Sequence, residues 1–272
     1  MEDPSPTINV LEHCGVSPPA DTHVTVTSLP LNFFDLLWLT FHPLGRVIFY
    51  DFPYSTSHFI ENTVPNLKTS LSLALKHFTP LAGNLIAPRD TNSSTEFLIR
   101  CLDGDSVSVT FAECMDDPNH FNGNHIRDAN MLNAFVPQLP PATCVDISGG
   151  KFSAAPVFAI QVTVFPKRAI CIGIRSAHAV ADGSSLFNFA RAWASITKQV
   201  ILLDTKDTKL DYYNIIDFGW GKPQKFEFVE EPLSMSRCRD SNADLEIGIV
   251  LPKNEMDAFS TIFAEGVQCL HG

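Results

Sequence analysis

The stretch Ser176-Ala177-His178-Ala179-Val180-Ala181-Asp182-Gly183 stands where a predicted strand gives way to a predicted helix. The apolar run from Ala169 to Ile174 comes before it and predicts a buried strand. Apolar residues at helical spacing follow it: Leu186, Phe189, Ala190, Trp193 and Ile196. His178 therefore lies at a strand-to-helix turn, a common position for catalytic side chains. The sequence predicts that the rest of the chain supports this turn.

The His-x-x-x-Asp spacing of His178 and Asp182 is a weak signal by itself, and it allows two interpretations. In the structural interpretation, a buried histidine ends a strand and Asp182 is the N-cap of the helix. In the catalytic interpretation, His178 is a general base, since the ordinary histidine pKa of about 6.5 suits that role near neutral pH. Gly183 then permits a tight turn, so that Asp182 could orient the imidazole or brace its loop through a basic residue.

Other catalytic layouts are absent from the sequence. It contains no GxSxG elbow, P-loop, GxGxxG or HExxH motif and no paired Cys/His metal signature. If His178 is catalytic, it acts without a metal and without a recognisable Ser or Cys nucleophile. The pattern then favours direct transfer, in which His178 deprotonates a substrate hydroxyl that attacks an activated acyl group such as a thioester. General-base assistance contributes ~10²–10⁴-fold, so oxyanion stabilisation would have to supply more.

A second motif, Asp217-Phe218-Gly219-Trp220-Gly221-Lys222-Pro223, combines two glycines, two aromatic residues and a proline in seven positions. The favoured interpretation is a structural turn packed by Phe218 and Trp220. In such a turn the charge of Asp217 serves a local hydrogen-bond network rather than catalysis.

Composition narrows the class of protein. The 272 residues are 45% hydrophobic and 18% charged, which indicates a globular chain able to bury a sizeable core. The formal charge of −11 argues against nucleic acid or an anionic membrane as a partner. The seven cysteines are odd in number and contain no CxxC pair, which favours a reducing, cytoplasmic location. The first residues do not read as a signal peptide, and no apolar run reaches the ~18 residues of a membrane span.

Apolar periodicity and turn residues predict further elements along the chain. Phe33 to Leu39 predicts a buried helical turn in which Asp35 needs a partner. Strands are predicted at 46–50, 226–229 and 245–251, and helices through Leu67 to Phe78, over 184–197 and through Met256 to Phe263. Hairpins are predicted for 96–101 with 106–111, joined through Asp103-Gly104, and for 156–165 with 169–176. Residues 116–150 are assigned as loop.

Taken together, the motifs resemble the plant BAHD acyl-CoA-dependent acyltransferases. The resemblance is carried by His178 to Gly183 and by Asp217 to Gly221. Three further stretches are similar to the branch that acts on anthocyanins and phenolic glucosides and that typically uses malonyl-CoA: 31–39, 78–85 and 160–166. The match covers about residues 24–197 and 209–270, and the pair of motifs is highly specific.

The resemblance implies an α/β fold of the chloramphenicol-acetyltransferase type, with mixed sheets and flanking helices. Two similar domains would face each other across a channel with His178, the general base, at its centre. Asp182 would point away from the channel and, with Gly183, brace the loop, whereas the motif from Asp217 to Gly221 would be structural. The implied substrates are a phenolic or flavonoid glycoside and an acyl-CoA, malonyl-CoA above all, with no bound cofactor and no metal. Arg46 and Arg175 are candidates for holding a malonyl carboxylate.

The sequence departs from the family pattern in one respect, because most of a second domain normally separates the two motifs. Here Asp182 and Asp217 are 35 positions apart. We therefore predict a nearly whole acyltransferase domain over 1–200 and a remnant of the C-terminal portion over 201–272. Much of the CoA-binding wall would be missing, and apolar surface near His178 would be left uncovered and prone to self-association.

Two alternatives to a working enzyme remain open at this stage. One is a non-catalytic remnant that binds a glycoside or a full-length relative. The other is a peptide-synthetase condensation domain, which shares the His-x-x-x-Asp-Gly turn but is disfavoured by the motif at Asp217.

Overall fold

The fold centres on a six-stranded mixed sheet, seen in a computed structural model that describes residues 5–20, 27–89, 97–123, 125–147, 149–203, 216–229, 232–237 and 245–271. The chain divides into two compact units, Met1–Val229 and Glu230–Gly272. Thirteen strands occur in the described residues: β1 Ile8–Val16, β2 Thr27–Pro30, β3 Leu44–Asp51, β4 Asn84–Pro88, β5 Leu98–Cys101, β6 Val107–Cys114, β7 Thr143–Ile147, β8 Gly150–Pro156, β9 Phe158–Phe165, β10 Ala169–Ser176, β11 Lys225–Val229, β12 Leu233–Arg237 and β13 Leu245–Ile249. The α-helices there are α1 Phe33–Leu37, α2 Thr56–His58, α3 Val64–Leu75, α4 Asn119–Asn122, α5 Gly183–Leu203 and α6 Lys253–His271.

The central sheet has the strand order β1-β6-β9-β10-β3-β11. Its pairs are antiparallel except β6 with β9, which is parallel. Every residue of β9 and β10 is buried, which explains why both strands are nearly continuous apolar runs rather than alternating ones. The hairpin predicted from 156–165 and 169–176 is confirmed as β9 and β10.

Helices α3 and α5 pack on the sheet through a core that includes Leu67, Leu71, Phe189 and Trp193, each at most 1% exposed. Three buried polar groups join the two helices. The Trp193 indole N–H lies 3.1 Å from the Ser70 hydroxyl, and the Thr197 hydroxyl lies 2.7 Å from it. Burying these groups is tolerable because each has a partner.

A second sheet of the first unit has the order β2-β5-β4-β8-β7 and is antiparallel throughout. The structure corrects two predictions in this part of the chain. Strands β5 and β6 exist, but they do not form the hairpin predicted through Asp103-Gly104, because β5 pairs in the second sheet and β6 in the first. Much of the predicted loop at 116–150 is ordered as α4, a 3-10 turn at Ala129–Phe135, β7 and the start of β8.

The second unit consists of the antiparallel hairpin β12–β13 and helix α6. Phe259, Ile262 and Phe263 lie exposed on α6. The predicted boundary at residue 200 rests on the resemblance to the family, so the compact units of the structure need not coincide with it. Indeed β11 and the Asp217 motif belong to the first unit. No helix within the described part of the chain has the length and apolarity to cross a membrane.

The architecture is thus the predicted α/β type, a mixed sheet with flanking helices. One local prediction is wrong: the segment from Phe33 to Leu39 contains no buried residue. Asp35 does find a partner, since it accepts a hydrogen bond from the backbone N–H of Asn32 at 2.9 Å and completes a capping box for α1.

Candidate active site

The turn that carries His178 leaves the end of β10 and enters α5. The backbone N–H of Ala177 donates to the carbonyl of Val157 at 2.8 Å, which extends the β9–β10 register by one bond. The N–H of Val180 then donates to the carbonyl of Ala177 at 3.2 Å and closes the turn. His178 itself is half-buried. The imidazole therefore lies at the turn between a strand and a helix, as predicted.

The imidazole of His178 lies flat against the indole of Trp38. The two ring centroids are 3.8 Å apart and the ring planes differ by 9°. Within the described residues, no hydrogen bond joins the imidazole to another side chain or to the backbone. The stack with Trp38 is the ring contact that the imidazole makes among the described residues.

Trp38 belongs to an exposed apolar segment, which we call the aromatic rim: Phe33, Phe34, Leu36, Leu37, Trp38 and Phe41. Phe33 and Phe34 are 71% and 72% exposed. The Phe41 ring packs against Trp38 with its centroid 5.1 Å away. Contiguous exposed apolar surface of this kind usually marks a binding or association site.

Strand register explains why the aromatic rim and His178 meet. Leu44 at the start of β3 pairs with Ser176 at the end of β10, so the chain before β3 and the chain after β10 emerge side by side. The buried Arg175 guanidinium fixes this junction by donating to the carbonyls of Pro43 and Pro137, both at 3.2 Å. Sequence reasoning missed Trp38 as a neighbour of His178. The only signal was its place in the apolar stretch that resembled the family.

Asp182 lies exposed at the N-terminus of α5. Its Oδ1 accepts a hydrogen bond from the backbone N–H of Ser185 at 2.7 Å, and its carbonyl accepts one from Leu186 at 3.1 Å. Hydrogen bonds from the Ser185 side chain and then from its backbone lower the pKa of Asp182, and the His178 imidazole lowers that pKa a little further. This is the N-cap geometry considered from the sequence. The loop-bracing role of Asp182 and Gly183 stays a prediction.

The Asp217 turn is saturated with internal contacts. Oδ1 of Asp217 accepts from the N–H groups of Gly219 and Gly221 at 2.8 and 2.9 Å. Oδ2 pairs with Lys198 Nζ at 2.9 Å. Gly219 and Gly221 have φ values of 94° and 88°, a backbone region that favours glycine, which explains both glycines. Asp217 thus acts as the hub of a local network.

Aromatic packing ties the same turn into the core. Phe218 is 1% exposed and lies edge-on to Trp193 at a centroid distance of 4.8 Å. The Tyr50 hydroxyl donates to the carbonyl of Ile216 at 2.8 Å, and burial together with the charge of Asp217 raises the Tyr50 pKa well above its usual value.

Trp220 packs against Tyr50, Phe52 and Phe218. Strand β11, which follows directly, then completes the central sheet beside β3.

The structure separates the two motifs. Gly183 begins α5 next to His178, whereas Lys198, the partner of Asp217, lies near the other end of that helix. At 1.5 Å per residue, the two positions are about 22 Å apart along the helix axis. The distance supports a structural role for Asp217 to Gly221, remote from His178.

The two arginines considered for a malonyl carboxylate differ in their surroundings. Arg175 is committed to backbone carbonyls inside the protein. The Arg46 guanidinium lies over the Phe228 ring at 5.1 Å, and its NH2 would be 3.7 Å from a Cβ added at Gly183. Among the described residues, no three His, Cys, Asp or Glu side chains are grouped to hold a metal ion.

The sequence profile of the Transferase family matches residues 13–206, which contain the His178 turn. The chain belongs to this family, the BAHD acyltransferases. It is 43% identical over 195 residues to malonyl-coenzyme A:anthocyanin 3-O-glucoside-6''-O-malonyltransferase from Dahlia pinnata, covering 71% of this chain and 41% of that protein. It is 43% identical over 190 residues to phenolic glucoside malonyltransferase 1 from Nicotiana tabacum, covering 70% and 40%.

Among solved structures, the fold is similar to that of vinorine synthase. The TM-score is 0.53 at 20% sequence identity, covering 77% of this chain and 46% of that one. The chain spans about two fifths of the length of the curated relatives it matches. The division into an acyltransferase domain over 1–200 and a remnant over 201–272 stays a prediction.

Proposed function

We propose that this chain transfers an acyl group, malonyl in the first instance, from an acyl-CoA to a hydroxyl of a phenolic or flavonoid glycoside, with His178 as the general base. The proposal is carried by the surroundings of the His178 imidazole. It is half-buried at a strand-to-helix turn, makes no hydrogen bond to the described residues, and lies beside an exposed aromatic surface. The activities for which the Dahlia and Nicotiana relatives are named support the choice of donor and acceptor.

The chemistry requires no covalent enzyme intermediate. An imidazole nitrogen of His178 removes the proton of the acceptor hydroxyl as its oxygen attacks the thioester carbonyl. The tetrahedral intermediate collapses with cleavage of the C–S bond, and the imidazolium returns the proton to the leaving CoA thiolate. The products are the acyl ester and free CoA, so atoms and charge balance. The reaction needs only the two substrates.

The test is a transfer assay with malonyl-CoA and anthocyanin or phenolic glucosides as acceptors. His178→Ala should lower the rate by ~10²–10⁴-fold, the usual contribution of a general base. The control is His77→Ala, because His77 is an exposed histidine just after α3. Activity of the His178 variant within a few-fold of the parent would assign the chemistry elsewhere.

A second candidate function, a non-catalytic binding or self-associating protein, is favoured by the aromatic rim. Large aromatic side chains with 71% and 72% exposure, at Phe33 and Phe34, are unusual on a monomer surface. Self-association would cover them, since each 100 Å² of apolar surface removed from water is worth ~2.5 kcal/mol. Light scattering with a hydrophobic dye tests the self-association: oligomers that dissociate in Phe33→Ser/Phe34→Ser support it, and a monodisperse monomer without dye binding contradicts it.

We also propose that the chain works in the cytoplasm. The five described cysteines assigned as free thiols support this location: Cys14, Cys101, Cys114, Cys144 and Cys171. Burial raises the pKa of Cys101 and of Cys114 to about 11, so these thiols resist oxidation. A fluorescent fusion found in the secretory pathway would contradict the proposal.

A further inference from the structure

We propose that Trp38 is a positioning residue that fixes the plane of the His178 imidazole. The proposal rests on the proposed function, in which His178 is the general base. It extends that role by naming the group that orients the base. It starts from the near-parallel stack, in which the ring centroids lie 3.8 Å apart and the planes differ by 9°.

A catalytic imidazole has to be held, because proton transfer requires its nitrogen to meet the hydroxyl within hydrogen-bond reach. In serine hydrolases a buried carboxylate holds the ring through its second nitrogen. Here the nearby carboxylate, Asp182, is exposed and engaged with the N–H of Ser185 at 2.7 Å. Among the described residues no hydrogen bond anchors the imidazole. The flat contact with Trp38 is therefore the restraint that the structure offers.

Trp38 can act as a restraint because its own backbone is fixed. Asn32 and Asp35 form the capping box of α1, and the N–H of Trp38 continues that helix by bonding to the carbonyls of Asp35 and Leu36. The N–H of Phe41 donates to the Trp38 carbonyl at 3.3 Å, and the Phe41 ring lies against the indole.

The segment is also held at Pro43, two residues after Phe41. The carbonyl of Pro43 accepts a hydrogen bond from Arg175 of β10. The indole is thus tied to the same strand end that delivers His178.

The stack also determines which parts of the imidazole are reachable. The indole covers one face of the ring, and both nitrogens lie in the ring plane, parallel to the indole. An acceptor hydroxyl would therefore approach along the edge of the imidazole, the direction in which a nitrogen lone pair can accept its proton.

The experiment uses the full chain with histidine labelled by ¹³C and ¹⁵N. A ring stacked under an indole gives proton resonances shifted upfield by the ring current, and the His178→Ala spectrum assigns them. The upfield resonance should move to the position of an unstacked histidine in Trp38→Leu and be partly retained in Trp38→Phe. The control is Phe33→Leu, an exposed aromatic residue of α1 that makes its ring contact with Phe34. It should leave the resonance unchanged.

Kinetics test the consequence for catalysis. Trp38→Leu should lower kcat about ten- to a hundredfold, the size expected when a reacting group loses its alignment, with KM changed far less. Trp38→Phe should restore most of the loss. A merely structural role would not produce this selective recovery together with the recovered upfield resonance.

Three results would count against the proposal. The first is no upfield histidine resonance in the parent, and the second is one that survives Trp38→Leu. The third is an unchanged kcat in Trp38→Leu in a protein that His178→Ala inactivates. If instead His178→Ala keeps full activity, or the parent shows none, the proposed function fails. The spectra alone then decide whether Trp38 fixes the ring.

Discussion

The His178 turn and the Asp217 turn are the two signature motifs of this chain, and they differ in how their polar side chains are bonded. The side-chain oxygens of Asp217 are occupied by two backbone N–H groups and Lys198, and the neighbouring Phe218 is buried. The ring nitrogens of His178 have no partner among the described residues. A motif whose polar groups are all satisfied internally stabilises the fold, whereas a half-buried imidazole without such partners suits the general-base role that we propose for His178.

The largest difference between the two turns is expected at Phe218. Phe218→Ala should cost about 3–5 kcal/mol in free energy of unfolding, because the ring is 1% exposed and packs on Tyr50, Trp193 and Trp220. His178→Ala should cost about 1 kcal/mol or less, mainly the lost stack with Trp38. Urea unfolding followed by tryptophan fluorescence measures both. Equal losses would mean that the two turns do not differ as described.

Two glycines on either side of His178 differ in the room that they leave for a side chain. A Cβ at Gly173 in β10 would lie 1.8 Å from the Phe135 carbonyl oxygen, so Gly173→Ala should cost about 3 kcal/mol by forcing backbone apart. A Cβ at Gly183 would meet its nearest atom, Arg46 NH2, at 3.7 Å, an ordinary contact. Gly183→Ala should therefore leave the melting temperature nearly unchanged. A large drop for Gly183→Ala would show that this glycine has a conformational role absent from the structure.

The sequence predicted elements whose signal is local. The apolar runs of β9 and β10 and the helical spacing in α3 and α5 were sufficient to place those elements, with helix ends shifted by a few residues. The Asp103-Gly104 turn is a true turn, with Gly104 at φ 88°, yet the strands it joins enter different sheets. Pairing partners are chosen by long-range packing, which a turn signal cannot report.

The candidate site was predicted only in part for the same reason. His178 could be found from its motif and from the strand and helix around it. Trp38 could not be connected with it, because their contact depends on the pairing of Leu44 with Ser176 across 132 positions of sequence. An apolar stretch such as 33–39 normally predicts burial, and here it is exposed beside the site.

A smaller effect is expected from the charge of Asp217. Asp217→Asn should cost about 1.5 kcal/mol, because a neutral amide oxygen is a weaker acceptor for the N–H groups of Gly219 and Gly221. Lys198→Met is the matched control for the ion pair alone. Its side chain is 51% exposed, so the loss should stay below about 1 kcal/mol. Chemical unfolding of both variants separates the two contributions. A larger loss for Lys198→Met would make the ion pair, and not the backbone network, the principal role of Asp217.

A further small effect is expected at Asp182, where the two turns are most alike because both use an aspartate to accept backbone N–H groups. Asp182→Ala should cost about 1 kcal/mol at pH 7, the usual value of an N-cap, and Asp182→Asn much less, since asparagine caps equally well. From the sequence alone, a partly buried brace would lose ~1–3 kcal/mol in Asp182→Asn. The exposed position of the carboxylate lowers that expectation.

The pH dependence of the Asp182 contribution has a definite sign. The folded-state pKa lies below the usual value, so the charged cap stabilises the fold fully above the unfolded-state pKa of about 3.9. That stabilisation is lost as the pH falls through the folded-state pKa. The difference in unfolding free energy between the parent and Asp182→Ala should therefore be constant near neutrality and shrink below about pH 4. The difference between Asp182→Asn and Asp182→Ala should change little, because neither side chain titrates. A parent-to-alanine difference that grows on acidification would mean that Asp182 does not act as a charged cap.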